Sequence, residues 1–77
     1  GRGAIYVDCN IGDDNFDGSV SHVKDRVASQ GPKRTMNGAF RAAKAGGVII
    51  VNAGNYREKV NVPGGIRMIC QGKVTID

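Results

Sequence analysis

The chain has no tryptophan, two prolines, two cysteines and a single histidine, His22. Its aromatic residues are Tyr6, Phe16, Phe40 and Tyr56. They make a thin platform for stacking on bases, which weighs against nucleic acid as a partner and leaves a small basic nucleic-acid-binding domain as an alternative reading. Two thiols, Cys9 and Cys70, are too few for a disulfide scaffold or a cysteine-only zinc site. Both are expected to be ordinary buried thiols, able to bridge only if the two ends of the chain meet. His22 lacks the second histidine or nearby cysteine that a metal site or triad would need, and is expected in an exposed loop. No apolar run approaches about 18 residues, which excludes a transmembrane helix. No P-loop, dinucleotide glycine pattern or Ser-His-Asp spacing is present. No apolar leader precedes Ala4, so Gly1-Arg2-Gly3 reads as the start of a processed, excised or engineered fragment of a longer chain.

What the sequence does have is glycine, at 12 positions in 77 residues, without a collagen period. That points to a fold rich in turns. The length allows one small domain with a marginal core. The net charge of +4 is unevenly spread. Up to residue 30, Asp8, Asp13, Asp14, Asp17 and Asp25 outnumber Arg2, Lys24 and Arg26. From residue 31 on, Lys33, Arg34, Arg41, Lys44, Arg57, Lys59, Arg67 and Lys73 stand against only Glu58 and Asp77. A basic surface of this kind suits an anionic partner, such as an acidic polysaccharide.

Periodicity divides the chain into three segments: 1–34, 35–46 and 47–77. In the first, residues 4–8 read as a strand with Ile5 and Val7 on one face and Tyr6 on the other. An Asx- and glycine-rich loop follows over residues 10–19. A helical turn near Val20–Val27 is ended by Gln30-Gly31-Pro32. In the second, Thr35 is the expected N-cap of a helix over 35–45. Met36, Ala39, Phe40 and Ala43 form its apolar stripe, and Gly46 or Gly47 its C-cap. In the third, the continuous apolar run 48–51, the alternating segments 56–62 and 66–70, and the last segment 74–76 read as four short strands. They are separated by turns at Asn52–Asn55, Pro63-Gly64-Gly65 and Gln71-Gly72. Such spacing admits either an antiparallel meander or a solenoid.

Three sets of residues carry possible chemistry. Asp13, Asn15 and Asp17, followed by Gly18, match the opening of a calcium loop, in which alternate oxygens converge on Ca²⁺. The position where an EF-hand needs Glu is Lys24, so an EF-hand is excluded and an Asx-rich turn is the simpler reading. Arg57, Lys59, Arg67 and Lys73 fall on alternating strands and can form a basic stripe. Such a stripe would hold uronate carboxylates or sulfates by charge-assisted hydrogen bonds. Tyr56 and Glu58 follow a turn and can face a groove. A tyrosine or glutamate can serve in acid-base chemistry if its pKa is tuned, but no catalytic residue is assigned.

The order of motifs then carries a resemblance. Tyr6-Val7-Asp8 precedes Gly12-Asp13-Asp14-Asn15-Phe16-Asp17-Gly18, Gly31-Pro32 and Thr35. After the short helix come Gly46-Gly47-Val48-Ile49-Ile50-Val51, Ala53-Gly54-Asn55-Tyr56-Arg57-Glu58, Ile66–Ile69 and Val74–Asp77. This order resembles the N-terminal cap and first winding of a right-handed parallel β-helix of the pectin-lyase-like superfamily, over most of the chain outside residues 20–30. Gly-Gly before the apolar strand is similar to the tailspike version, with Asn52 where that version has Pro. The resemblance implies a mostly β fold with one capping helix, Met36, Ala39, Phe40 and Ala43 covering the first coil. Val48, Ile50, Val60, Ile66, Met68, Val74 and Ile76 would supply its interior. It further implies a capping and assembly segment of a polysaccharide-binding or polysaccharide-degrading protein, extracellular or on a virion surface. The catalytic residues of a lyase or epimerase would lie on later coils, which implies that Tyr56 and Glu58 fix a corner and pair with Lys or Arg. The implied partners are a further polypeptide continuing the coil, or a second copy. No cofactor is required beyond a possible Ca²⁺.

Overall fold

Alternation of apolar residues in Ala4–Val7 produces a first strand, β1. Val7 is fully buried and Ile5 packs on the same core, as one face of a pleated strand must. A computed structural model describes residues 4–77. The Gly1-Arg2-Gly3 start, read above as a fragment end, lies outside the described residues. The helix α1 spans Met36–Ala42. Two longer strands follow, β2 at Val48–Tyr56 and β3 at Arg67–Ile76. The three strands form one sheet in the order β1-β2-β3, and both pairings are parallel. The registers set Ala4 beside Val48 and Val7 beside Val51, and Val48 beside Arg67 and Tyr56 beside Ile76.

This architecture corrects the expected fold. It is an open three-stranded parallel sheet with one short helix, and among the described residues no winding of a β-helix is formed. It is not an antiparallel meander either. The reason lies at the two expected corners. Asn52–Asn55 and Gln71-Gly72 do not turn the chain but lie within β2 and β3, so four short strands merge into two. Residues 57–66, where the pattern predicts a strand to Val62 and a turn at Pro63-Gly64-Gly65, instead form the irregular crossover that parallel strands require.

What glycine supplies at Gly72 is a bulge. Between the pairs Asn52–Gln71 and Gly54–Val74, one residue of β2 faces two of β3. Gly72 takes φ +78° there, a left-handed conformation that strains any side chain-bearing residue. The buried face of β2 changes parity across the same point. Ile49 and Val51 point inward before it and Tyr56 after it, while Ala53 is exposed. Reading Val48 and Ile50 as interior therefore selected the wrong face. Ile49 and Val51 are fully buried and their even-numbered neighbours half-buried. Val60, Ile66, Met68 and Val74 pack against the core from the rim, and Ile76 is exposed.

Helix α1 packs on β1 and β2 through Met36 and Ala39, both fully buried. Phe40 and Ala43 are only half-buried beside them. Thr35 is the N-cap: its hydroxyl accepts the Gly38 N–H at 2.8 Å. The helix stops earlier than its sequence pattern suggests. Ala43 closes it, its N–H donating to the Ala39 and Phe40 carbonyls, and Gly46 supplies left-handed backbone to the following turn. No helical turn forms in 20–27. Asp25 and Gln30 bridge antiparallel across a tight turn instead, with Val27 at its tip 98% exposed.

Candidate functional site

At the carboxyl end of β2 three segments converge on a cleft of about 230 Å³, lined by Cys9, Arg34, Thr35, Asn55, Tyr56, Arg57 and Glu58. Each side chain is held there by local structure. Tyr56 is the last residue of β2 and is buried. Its hydroxyl donates to the Asn52 carbonyl at 2.7 Å and accepts the Cys9 N–H at 3.2 Å. Burial raises the Tyr56 hydroxyl's pKa well above its ordinary value, and the nearby Cys9 and Asp8 add to the effect. Asn52 donates in turn to Asp8 at 3.3 Å. The network ties the β1 exit to the far half of β2.

Glu58 follows β2 by two residues and reaches the start of α1. Its carboxylate accepts the Met36 N–H at 2.8 Å, the Asn37 N–H at 3.1 Å and the Asn37 side-chain amide at 2.7 Å. These N–H groups begin the helix and have no partner within it, so a carboxylate is favoured there by both hydrogen bonding and dipole. The expectation that Glu58 pairs with Lys or Arg is therefore replaced by a helix-capping role.

Asp14 performs a similar task on the other side of the cap. One oxygen accepts the Arg34 and Thr35 N–H groups at 2.9 Å each, and the other accepts the Thr35 hydroxyl at 2.7 Å. Partial burial works to raise its pKa, but the hydrogen bonds from Thr35 and Arg34, with the charge of Arg41, outweigh it and hold the carboxyl below its usual range. The same carboxylate lies against the helix at Gly38, where a Cβ would stand 2.5 Å from it. That close approach explains a glycine in the middle of a helix.

The sequence-derived sites are distributed as follows. Asp13 and Asp17 each turn one carboxylate oxygen back to the chain, accepting the Asn15 and Ser19 N–H groups at 2.9 Å. The Ser19 N–H, with further hydrogen bonds from Ser19 and Gly31, draws the Asp17 carboxyl below its ordinary pKa against the opposing effect of burial. These are Asx turns, and among the described residues no group of three or more His, Cys, Asp or Glu side chains gathers to hold a metal. The four basic residues do not form one stripe. Arg57 lines the cleft beyond the carboxyl end of β2, Lys59 is exposed on the crossover, Arg67 opens β3 at the level of Val48, and Lys73 sits in the bulge. Arg67 and Arg57 thus lie at opposite ends of the sheet. Cys9 is half-buried and free at the cleft, whereas Cys70 is free and exposed on β3, so the expectation of two buried thiols fails for Cys70. His22 is exposed.

Sequence reasoning missed Arg34 and the capping role of Asp14. Arg34 had a signal, since it immediately precedes the N-cap and is carried to wherever the helix begins. Asp14 had none, because 21 residues separate it from Thr35. Every proton-transfer group of the cleft other than the Cys9 thiol is committed to a hydrogen bond. The two guanidinium groups are exposed, and among the described residues neither donates a hydrogen bond. The free capacity of the cleft is therefore that of a donor to oxyanions. No helix among the described residues is long and apolar enough to cross a membrane. Comparison with protein-family models, curated proteins and solved structures finds no match for the chain.

Proposed function

We propose that this chain is a capping and assembly segment of a polysaccharide-binding protein, closed along one edge of its sheet and open to a further strand along the other. The observation that carries this reading is the difference between the two edges. The outer edge of β1 is occupied: the Tyr6 N–H donates to the Gly18 carbonyl, the Lys33 N–H to the Tyr6 carbonyl and the Asp8 N–H to the Lys33 carbonyl, all at 2.8 Å. The outer edge of β3 has no strand beside it among the described residues, although β3 is the longest strand, at ten residues. Ile69 and Ile76 on it are 43% and 47% exposed. A long apolar edge with open backbone groups invites pairing with another strand. The charge excess from residue 31 onward supports an acidic polysaccharide as the ligand of the assembly.

Sedimentation velocity at micromolar concentration tests the proposal, comparing the parent chain with an Ile69→Lys/Ile76→Lys variant. Charges on an edge strand disfavour edge pairing. The parent is expected to associate in a concentration-dependent way and the variant to remain monomeric. A parent that stays a sharp monomer throughout overturns the assembly role.

A further inference from the structure

We propose that the open edge of β3 docks a second copy of this chain, whose β3 pairs with it antiparallel about a two-fold axis at Gly72. The pairing rests on the open-edge reading above and commits that edge to one partner, one strand direction and one register. Hydrogen bonds at the two ends of β3 fix which backbone groups face outward. The Arg67 N–H donates to the Gly47 carbonyl at 3.1 Å and the Asp77 N–H to the Tyr56 carbonyl at 2.9 Å. Both residues therefore turn their backbone groups toward β2. Alternate residues of a paired strand turn them to opposite sides. Met68 and Cys70 before the bulge, and Val74 and Ile76 after it, thus present N–H and C=O to the open edge.

Those four residues and the bulge between them select the register. In antiparallel pairing, directly opposite residues that face each other exchange both hydrogen bonds. Setting Met68 opposite Ile76 of the second copy, and Cys70 opposite its Val74, engages all four. It also sets bulge against bulge. The segment from Cys70 to Val74 holds one residue more than its partner segment from Val51 to Gly54. A regular strand would fall out of step there, which is how a bulge protects an edge. A second β3 carries the same extra residue at the same place, so both halves of the ladder stay in step.

The side chains agree with this register. Met68, Cys70 and Ile76 stand beside the buried Ile49, Val51 and Tyr56 and so lie on the core face. Cys70 and Ile76 are nevertheless exposed, with no strand beyond β3 among the described residues. The two-fold joins Met68, Cys70, Val74 and Ile76 of both copies into one apolar strip. On the other face it sets Arg67 opposite Asp77 of the second copy at both ends of the ladder. Opposite charges directly across a pair are favourable and like charges unfavourable. Sliding the copies until the two Cys70 residues meet would instead set Arg67 against Lys73.

Sedimentation equilibrium of the 77-residue chain at low salt tests the pairing, with Arg67→Asp and Asp77→Arg as variants. The parent is expected to form a dimer and nothing larger, since the two-fold consumes both open edges. Each reversal places like charges at both ends of the ladder and is expected to weaken dimerisation about threefold or more. An equimolar mixture of the two variants restores opposite charges at both ends and is expected to form heterodimers of parental affinity. A role for either residue within its own chain would give no recovery on mixing. A parent that stays monomeric overturns the open-edge reading and this pairing together. Dimers indifferent to the reversals, a mixture no tighter than its components, or growth beyond the dimer overturns the antiparallel pairing alone.

Discussion

Glu58 and Met36 are joined by a 2.8 Å hydrogen bond from the first N–H of the helix to a carboxylate that follows β2. The contact spans 22 residues of sequence and fixes the helix start against the sheet's carboxyl end. Two further donors from Asn37 share the same carboxylate. Removing it strands helix N–H groups in a half-buried place. Glu58→Ala is therefore expected to destabilise the fold by about 1–3 kcal/mol, read as a lower urea midpoint with an unchanged slope. Glu58→Gln, which keeps one acceptor oxygen, is expected to lose less. An Ala variant as stable as the parent would mean that water replaces the carboxylate without cost.

Gly38 offers a test in which two effects oppose each other. On an ordinary helix, Gly→Ala gains about 1 kcal/mol. Here the new methyl would stand 2.5 Å from an Asp14 oxygen. Asp14 is short and is held by three hydrogen bonds, so it cannot step aside without releasing the N-cap. Overpacking of this kind costs about 1–3 kcal/mol, enough to outweigh the helical gain. Gly38→Ala is expected to lower the melting midpoint, and combination with Asp14→Ala to reverse the sign of its effect. A stabilising single substitution would refute the packing argument.

The parts of this fold that were legible in the sequence were those decided locally. The alternation of Ile5 and Val7, the Thr35 cap and the helical stripe each depend on neighbours within a few residues. What could not be read was set by pairing. Asn52-Ala53-Gly54-Asn55 has the composition of a turn, yet the ladder with β3 keeps it extended. Gln71-Gly72 likewise carries a bulge instead of a corner, because a left-handed glycine can absorb one extra residue without ending a strand. The face of β2 was misread for a related reason: in a run of Val48-Ile49-Ile50-Val51, every residue is apolar and periodicity has nothing to report. The cleft was half legible. Arg57, Tyr56 and Glu58 are adjacent, and Arg34 and Thr35 mark a helix start that the sequence shows, whereas the contacts that bring that helix start and Cys9 to Tyr56 are encoded in no local pattern.

Acid should act on the fold through Asp14. Its folded-state pKa lies below the ordinary carboxylate value, which for an unfolded Asp is about 3.9. The ionised form is thus the one the fold favours. The stability it contributes is fully present above the unfolded value and is lost as pH falls through the lowered folded one. Asp14→Asn removes this dependence. Melting curves collected from neutral pH downward are expected to converge: the parent is more stable than the variant near pH 7, and the gap narrows below about pH 4. A gap independent of pH would show that the hydrogen bonds, and not the charge, account for the role of Asp14.

The helix stripe makes the last prediction, and it turns on burial rather than size. Phe40 is the largest side chain of the stripe, yet it is only half-buried, whereas Met36 is fully enclosed among Val7, Ala39, Ile49, Val51 and Tyr56. Truncating a buried methionine leaves a cavity and typically costs about 2–5 kcal/mol. Against the total stability of a small domain, about 5–15 kcal/mol at most, that loss is large. Phe40 sheds part of its surface to water already, so its truncation forfeits less. Met36→Ala is expected to lower the urea midpoint more than Phe40→Ala, and Met36→Leu, which conserves volume, to cost less than about 1.5 kcal/mol. The reverse order for the two alanine variants would mean that the helix meets the sheet through Phe40 rather than Met36.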